Sequence, residues 1–452
     1  MDDIAIKIAK AVEKKGGRTF YVGGFVRDKL LGFVGGDLDI EVHGVSPPDL
    51  NKILESLGKP LFHGASFGIY SLKGHDIDIA MPRREIVKGR GHRDFEVSVD
   101  PFMGTLEASR RRDFTFNALM EDVLSGEIID HFGGIRDLEA RIIRHVNARS
   151  FVEDPLRVFR AAQLAARFDF VLAEETVELC RKIDTSALSK ERVEAELKKA
   201  LLGSRRPSFF FEVLKKVDAL EPWFSELSEL IGLEQDPKYH PEGDVWVHSM
   251  QVLDRAAKYR GEVEYPYAFL LLALLHDLGK ISTTEIVGDR IHSYGHEEEG
   301  LPLIESFLDR LTSETKLKRY VLNMAALHMK PNMLAHSRAR LKSTNRMFDA
   351  AAAPRDLIYF AMADKPLFAG DEKFEDGSDF LFERLEAYER IMRAPWLGGE
   401  DLIEAGLQPG EHFSEALEYA HKIRLAGVDK ENALKQTIAY ARELERSGAR
   451  RL

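Results

Sequence analysis

The sequence predicts an α+β chain: a small mixed sheet with flanking helices, followed by a long all-helical remainder. Three observations carry that expectation. Short period-two segments punctuated by glycines cluster before residue 145. Helical apolar spacing dominates from about residue 150 to the end. A breaker-dense stretch, residues 236–243 (Asp-Pro-Lys-Tyr-His-Pro-Glu-Gly), divides the helical part. The 452 residues thus fall into four pieces, 1–145, 146–235, 236–370 and 371–452, within the two to four expected at roughly 100–200 residues per domain.

In order along the chain, residues 4–15 carry an apolar stripe at helical spacing, and 18–22 read as a strand running into Gly23-Gly24. Residues 38–42 (Leu-Asp-Ile-Glu-Val) alternate with period two, as do 69–72 and 77–79. Residues 85–105, with Gly89 and Gly91, read as one long polar loop. Asp154-Pro155 opens a helix that places Leu156, Phe159, Leu164 and Phe168 on or near one face. Helical spacing continues through 190–235 and through a histidine-bearing block from about 244 to 370. Acidic residues 370–378 read as a linker, and two or three helices complete the chain.

Hydrophobic residues make up 44% and charged residues 31%, an ordinary soluble globular mixture. The longest apolar run, 268–275, is far too short for a membrane span. The first residues, Met-Asp-Asp, lack the basic and apolar regions of a secretory signal. The lone cysteine, Cys180, excludes a disulfide framework and a cysteine zinc cluster and reads as a buried helix residue. Together these point to the cytoplasm. The net charge of -11 argues weakly against a nucleic-acid partner. Basic clusters at 83–84, 88–93, 110–112 and 136–149 restore that possibility, because a polyanion is steered by the local field.

The segment 21–41, YVGGFVRDKLLGFVGGDLDIE, is the most informative. Asp37 and Asp39, two apart on a strand, project from one face. Like charges so close need a shared cation, and Mg²⁺ favours carboxylates together with substrate phosphates. Gly23 and Gly24 let backbone N–H groups approach a phosphate, and the planar fork of Arg27 suits a triphosphate. Asp78 is the candidate third carboxylate, with Asp76 on the same face by period two. These parts make a two-metal phosphoryl- or nucleotidyl-transfer site.

Gly-Gly-x-x-Arg-Asp followed by Asp37-x-Asp39 resembles the head motif of class II tRNA nucleotidyltransferases, the CCA-adding enzymes, and of bacterial poly(A) polymerases. Residues 111–118 (RRDFTFNA) are similar to that family's next motif, which implies ribose and triphosphate contacts for Arg112, Asp113 and Asn117. Residues 130–144 follow a further segment, with His131 where proline is usual. Glu153-Asp154-Pro155-Leu156-Arg157 matches the motif in which protein side chains replace a nucleic-acid template. The resemblance implies that Asp154 accepts from an exocyclic amine and Arg157 donates to the ring, so that a mismatched base leaves both unpaired. On spacing alone the two could simply pair with each other at i, i+3. Glu191-Arg192-x-x-x-Glu196 matches a bracing motif, and Arg160 falls one turn beyond Arg157.

In the third piece, His248, His276-Asp277, His292, His296, His328 and Asp364 occur in order. Imidazoles gathered with carboxylates suit a borderline divalent metal such as Ni²⁺ or Mn²⁺. The set resembles the HD superfamily of metal-dependent phosphohydrolases. It implies His248, His276, Asp277 and Asp364 as ligands, with His296 and His328 as the extra histidines of fuller versions. Lys280 could neutralise a substrate phosphate. The tail, with a Gly406-Leu407-Gln408-Pro409-Gly410 connection, is similar to the part that holds tRNA in HD-bearing members.

The reading is therefore a nucleotidyltransferase head, an all-α neck, an all-α HD domain and a helical tail that together add CCA to tRNA from CTP and ATP. Mg²⁺ would serve the head, and a phosphohydrolase or phosphodiesterase activity would sit in the HD block. Rivals are an A-adding, CC-adding or poly(A)-adding enzyme, an HD phosphohydrolase with a degenerate head, and a non-catalytic RNA binder. Intact Asp37, Asp39, Arg112 and Asp113 oppose the second, and unmetallated carboxylates repelling phosphate oppose the third. A long 85–105 loop, the element expected to let the pocket switch from C to A, leans against CC-only addition. No membrane partner is expected, and the sequence leaves the oligomeric state open.

Overall fold

Ile4, Ala5, Ile8 and Val12 bury one face of the first helix, Asp3–Glu13, and Gly16 at φ +80° turns the chain into strand β1, Arg18–Val22. The computed structural model describes residues 3–33, 38–62, 69–87, 95–288, 290–365, 377–410 and 412–448. The chain divides into two compact units, residues 1–223 and 224–452.

In the first unit β1 is followed by β2 (Leu38–His43), β3 (Pro60–Phe62), β4 (Ile69–Leu72), β5 (Ile77–Ala80), β6 (Arg83–Val87), β7 (Phe95–Val99), β8 (Met120–Asp122) and β9 (Ile128–Ile129). Seven of these form a mixed sheet in the order β3-β4-β5-β2-β1-β8-β9. Among the described residues of this sheet only β2 and β5 pair in parallel, with Asp39 opposite Asp78. Phe20, Val22, Ile40, Val42, Ile77 and Ile79 are buried; burial alternates with period two along β4 and β5, whereas β1 and β2 at the centre of the sheet are covered on both faces.

Residues 85–105 are not one loop. β6 and β7 form an antiparallel hairpin, with Arg83 opposite Val99, and a helix begins at Thr105. The polar composition masked the β-branched positions Val87, Val97 and Val99. Gly89 and Gly91 lie outside the described residues.

After the sheet, helices Leu156–Phe168, Lys190–Gly203 and Ser208–Lys216 pack together. Leu156, Phe159 and Leu164 are buried as their spacing predicts, whereas Phe168 is half-buried. Cys180 is buried at the end of its helix, and burial pushes its thiol up to about 12.

Among its described residues the second unit has helices and one small hairpin, Glu285–Val287 with Arg290–His292. Its Pro266–Leu275 helix is buried on every side, which explains the apolar run. Most of the expected 370–378 linker lies outside the described residues. The tail holds four described helices, Ser378–Arg393, Gly399–Glu404, His412–Arg424 and Lys430–Gly448, rather than two or three. The six-residue Gly399–Glu404 helix is too short for periodicity to reveal. Gly406 (φ +86°) turns the chain, and Leu407 is buried with Leu402, Ala416 and Ala441. No helix of the described residues is long and apolar enough to cross a membrane.

Candidate functional site

On β2, Leu38, Ile40 and Val42 take one face and Asp39, Glu41 and His43 the other. Asp39 and Asp78, on neighbouring strands, both line a cleft of about 1310 Å³. Asp37 lies outside the described residues. Two carboxylates on adjacent strands at one level repel each other unless they share a cation, so the arrangement fits a hard divalent metal.

The cleft gathers residues spread over nearly two hundred positions. Gly23, Gly24, Arg27, Arg112, Asp113, Asn117, Asp154, Arg157 and Arg160 line it as well. Four of them form one chain of hydrogen bonds. Arg27 Nη1 donates to Asn117 Oδ1 (2.7 Å), Asn117 Nδ2 to Asp113 Oδ1 (3.0 Å), and Arg160 Nε to Asp113 Oδ2 (2.7 Å). Arg27 is buried, also donates to Asp28 (2.7 Å), and stands 4.8 Å over the Phe168 ring. Burial works against the Asp113 carboxylate, but Arg160 and Asn117 hold it below the usual range.

Gly23 has φ +66°, and a Cβ built there would lie 3.2 Å from Arg112 Nη1 and 3.8 Å from Asp39 Oδ2. A side chain would be strained by the backbone and would crowd Arg112, with Asp39 at ordinary contact distance. Gly23→Ala is expected to lower nucleotide turnover by about tenfold or more, equivalent to at least 1.4 kcal/mol, while the strained backbone lowers the melting temperature by only about 2–4 °C. Steady-state kinetics beside a thermal melt checks this, and wild-type turnover would remove the constraint.

Asp154 does not pair with Arg157. Both its oxygens accept from Arg192 Nη2 (3.0 and 2.9 Å), and Oδ1 also takes the Leu156 N–H (3.1 Å). Arg157 donates to the Ser150 and Arg111 carbonyls (2.9 and 2.8 Å). Glu153 is exposed and does not line the cleft. Glu196 is buried and accepts from Lys199 (2.9 Å).

Several cleft residues were not singled out by sequence. Arg167, Lys198 and Lys199 border it, beside Arg83 from the 83–84 basic cluster, and cations outnumber carboxylates there two to one, a field suited to a polyanion. Glu41, 1% exposed, continues the Asp37, Asp39 period. It accepts from His43 (2.9 Å) and Arg112 (3.4 Å). Burial opposes its ionisation, yet His43 and Arg112 hold it down to about 2.

The second unit brings the other predicted residues together. His276, His328 and Asp364 each follow the last residue of a helix: Pro266–Leu275, Thr315–Leu327 and Pro354–Ala363. Each helix end contributes roughly half a negative charge. His248 lies in the first turn of Val245–Ala256, and His296 begins His296–Glu299. All four histidines point Nε2 at carboxylate. Asp277 Oδ2 lies 3.2 Å from His276 and 3.6 Å from His248. Its Oδ1 lies 3.3 Å from His296 and 4.0 Å from His328, and Asp364 Oδ1 lies 3.0 Å from His248 and 3.4 Å from His276. Two trios result, His248–His276–Asp364 and Asp277–His296–His328, each with its ligand atoms within 4.8 Å of one another.

The donor set fits a borderline metal. His276, His296 and His328 each turn Nδ1 to a backbone carbonyl, of Ala273, Ser293 and Ala325 respectively. A carbonyl only accepts, so Nδ1 carries the proton and a neutral ring presents a bare Nε2. His296 and His328 bring these nitrogens to 3.1 Å, too close for two lone pairs without a cation or proton between them. His276 Nε2 is buried without a satisfying hydrogen bond. Burial alone would lower the His276 pKa, but Asp277 and Asp364 carry it up to about 10; burial and His276 push His328 down to about 4. Lys280 is buried on Asp277 (2.8 Å) and Gln235 (2.7 Å), and His292 stands apart, stacked on Tyr294 at 4.9 Å.

Residues 19–144 match the poly A polymerase head domain family, and 245–365 match the HD domain family. A multifunctional CCA protein of Xanthomonas campestris pv. campestris is 34% identical over 93% of this chain and 100% of its own length. The multifunctional CCA protein of Methylobacillus flagellatus is 38% identical over 71% of this chain and 76% of its own. Among solved structures, the Thermotoga maritima CCA-adding enzyme complexed with tRNA superposes with a TM-score of 0.65 at 23% identity, covering 97% of this chain and 96% of that one.

Proposed function

The chain belongs to the multifunctional CCA protein family, and from that premise we propose that it adds CCA to tRNA 3′ ends from CTP and ATP without a nucleic-acid template. The 3′-hydroxyl oxygen of the tRNA bonds to the α-phosphorus, the bond to the β-phosphate bridging oxygen breaks, and pyrophosphate leaves with the hydroxyl proton lost to solvent. One observation carries the reading: a single cleft holds the Asp39–Asp78 pair, the Arg27–Asn117–Asp113–Arg160 chain, and Asp154 with Arg157. Asp39 and Asp78, with Asp37 two residues earlier in sequence, would hold Mg²⁺. Mg²⁺ bound there lowers the pKa of the 3′-hydroxyl and offsets charge on the pyrophosphate.

Cytosine and adenine both present an exocyclic amine beside a ring nitrogen acceptor. Asp154 accepts from the amine and Arg157 donates to the ring nitrogen, whereas uracil and guanine reverse that order and leave both side chains unpaired. The cationic rim accepts the triphosphate and the tRNA backbone, and the tail helices hold the rest of the tRNA. The histidine cluster is a metal-dependent phosphohydrolase or phosphodiesterase centre whose donors suit Ni²⁺ or Mn²⁺. Because tRNA maturation is its task, we infer a cytoplasmic enzyme.

The test is purified protein with Mg²⁺ and a tRNA transcript ending at the discriminator base, given CTP, ATP, or both. Two cytidines and then one adenosine, with synthesis stopping there, is the expected product. A long A tail would make it a poly(A)-adding enzyme. A single A on a CC-ending primer without C addition would make it A-adding, and CC alone with both nucleotides present a CC-adding one. No transfer would leave the histidine cluster as the working centre.

A further inference from the structure

Residues 236–243, which composition marks as a boundary, return onto the histidine cluster. We propose that Glu242 is a positioning residue that makes His248 the strongest nitrogen donor to a divalent metal in that cluster. The proposal rests on the metal reading of the cluster given above. Three of the four inward-pointing histidines set Nδ1 against neutral backbone carbonyls. His248 instead sets Nδ1 against a carboxylate, Glu242 Oε1 at 2.7 Å. A ring that gives Nε2 to a metal must keep its proton on Nδ1. A charged acceptor there strengthens the hydrogen bond and makes the ring more basic.

The carboxylate is held in place. Its Oε1 lies 3.0 Å from His240 Nδ1, and the His240 ring stands edge-on to His248 at 4.8 Å and 83°. Two residues on, Asp244 caps the His248 helix through the Val247 N–H (2.8 Å) and takes the Gly232 N–H (2.7 Å). The Glu242 side chain is 3% exposed, and its Oε2 is buried with no hydrogen-bond partner. Burying a half-satisfied carboxylate costs free energy that packing alone does not recover. Orientation of His248 accounts for that cost.

The experiment uses the full chain, stripped by chelator and titrated with Mn²⁺ alone, with free Mn²⁺ followed by electron paramagnetic resonance. If the wild type shows no imidazole-coordinated Mn²⁺, the metal reading of the cluster fails and the proposal with it, since no described histidine lines the cleft of the first unit. Given wild-type uptake, Glu242→Ala is expected to weaken affinity by about 10- to 100-fold. Glu242→Gln, which keeps an acceptor without the charge, is expected to fall between the two. Electron spin echo modulation from bound Mn²⁺ should lose one coordinated imidazole in the alanine variant, a change that general loosening of the fold would not single out. Circular dichroism of the metal-free proteins checks folding, and should the alanine variant fail to fold, the glutamine variant decides alone. Affinity of the glutamine and alanine variants within twofold of wild type, or an unchanged imidazole count in a weakened alanine variant, overturns the proposal.

Discussion

Asp39→Ala is expected to reduce nucleotide addition by about a thousandfold or more while leaving tRNA affinity within a few-fold of wild type. Asp39 stands opposite Asp78 on the only parallel strand pair among the described residues of the sheet, facing the cleft. Its loss halves the described carboxylate pair that would hold metal. Transition-state charge stabilisation of roughly 4 kcal/mol corresponds to that factor, within the several kcal/mol a metal site supplies. Affinity should survive because the rim cations Arg83, Lys198 and Lys199 are untouched. Removing a negative charge from such a field could even tighten binding. Single-turnover extension together with a filter-binding titration separates the two effects. Turnover within tenfold of wild type would move metal binding away from Asp39.

The second large effect belongs to Asp277. Its two oxygens serve the two trios separately, Oδ2 toward His276 and His248 and Oδ1 toward His296 and His328, and Lys280 rests on it as well. Burial opposes this carboxylate, but His276 and Lys280 keep it ionised far into acid. Asp277→Asn keeps the shape and removes the charge. Bound divalent metal after dialysis is expected to fall below about a tenth of the wild-type content. The metal-free fold should lose on the order of 3–5 kcal/mol, because the Lys280 ammonium stays buried without its carboxylate partner. Metal should raise the wild-type melting temperature, since it ties three helix ends and binds only the folded state. That rise should vanish in the variant. Metal content equal to wild type would make the cluster a hydrogen-bonded core instead.

The sheet was legible because apolar and polar side chains alternate along its strands, so Leu38, Ile40 and Val42 betray β2 without any context, even though Glu41 and His43 on its other face are also buried. Each candidate site was legible where spacing within one element carries the signal, as with Asp39 and Gly23-Gly24 in the cleft and His276-Asp277 in the histidine cluster. It was opaque where a partner comes from another element. Nothing local connects Asp154 to Arg192, thirty-eight residues apart, or Arg27 to Asn117, ninety apart. Glu41 could have been found by extending the Asp37, Asp39 alternation one step. Glu242 could not, since a Pro-Glu-Gly sequence announces a turn whatever its carboxylate faces. The hairpin β6–β7 was missed because polar residues can occupy both faces of a two-stranded ribbon, which erases the alternation.

The tie between Asp154 and Arg192 has a consequence for how choice of base and hold on RNA relate. Arg192 belongs to the Lys190–Gly203 helix, which also offers Lys198 and Lys199 to the cleft. Asp154 stands at the start of a different helix and gives both oxygens to that one guanidinium. A nucleotide that engages Asp154 competes with Arg192 for its oxygens, and a polyanion held by Lys198 and Lys199 bears on the helix that carries Arg192. Thermodynamic reciprocity requires the two influences to be equal. Whatever free energy the bound RNA lends to one base over another, that base returns to the bound RNA, so fidelity and processivity draw on the same coupling.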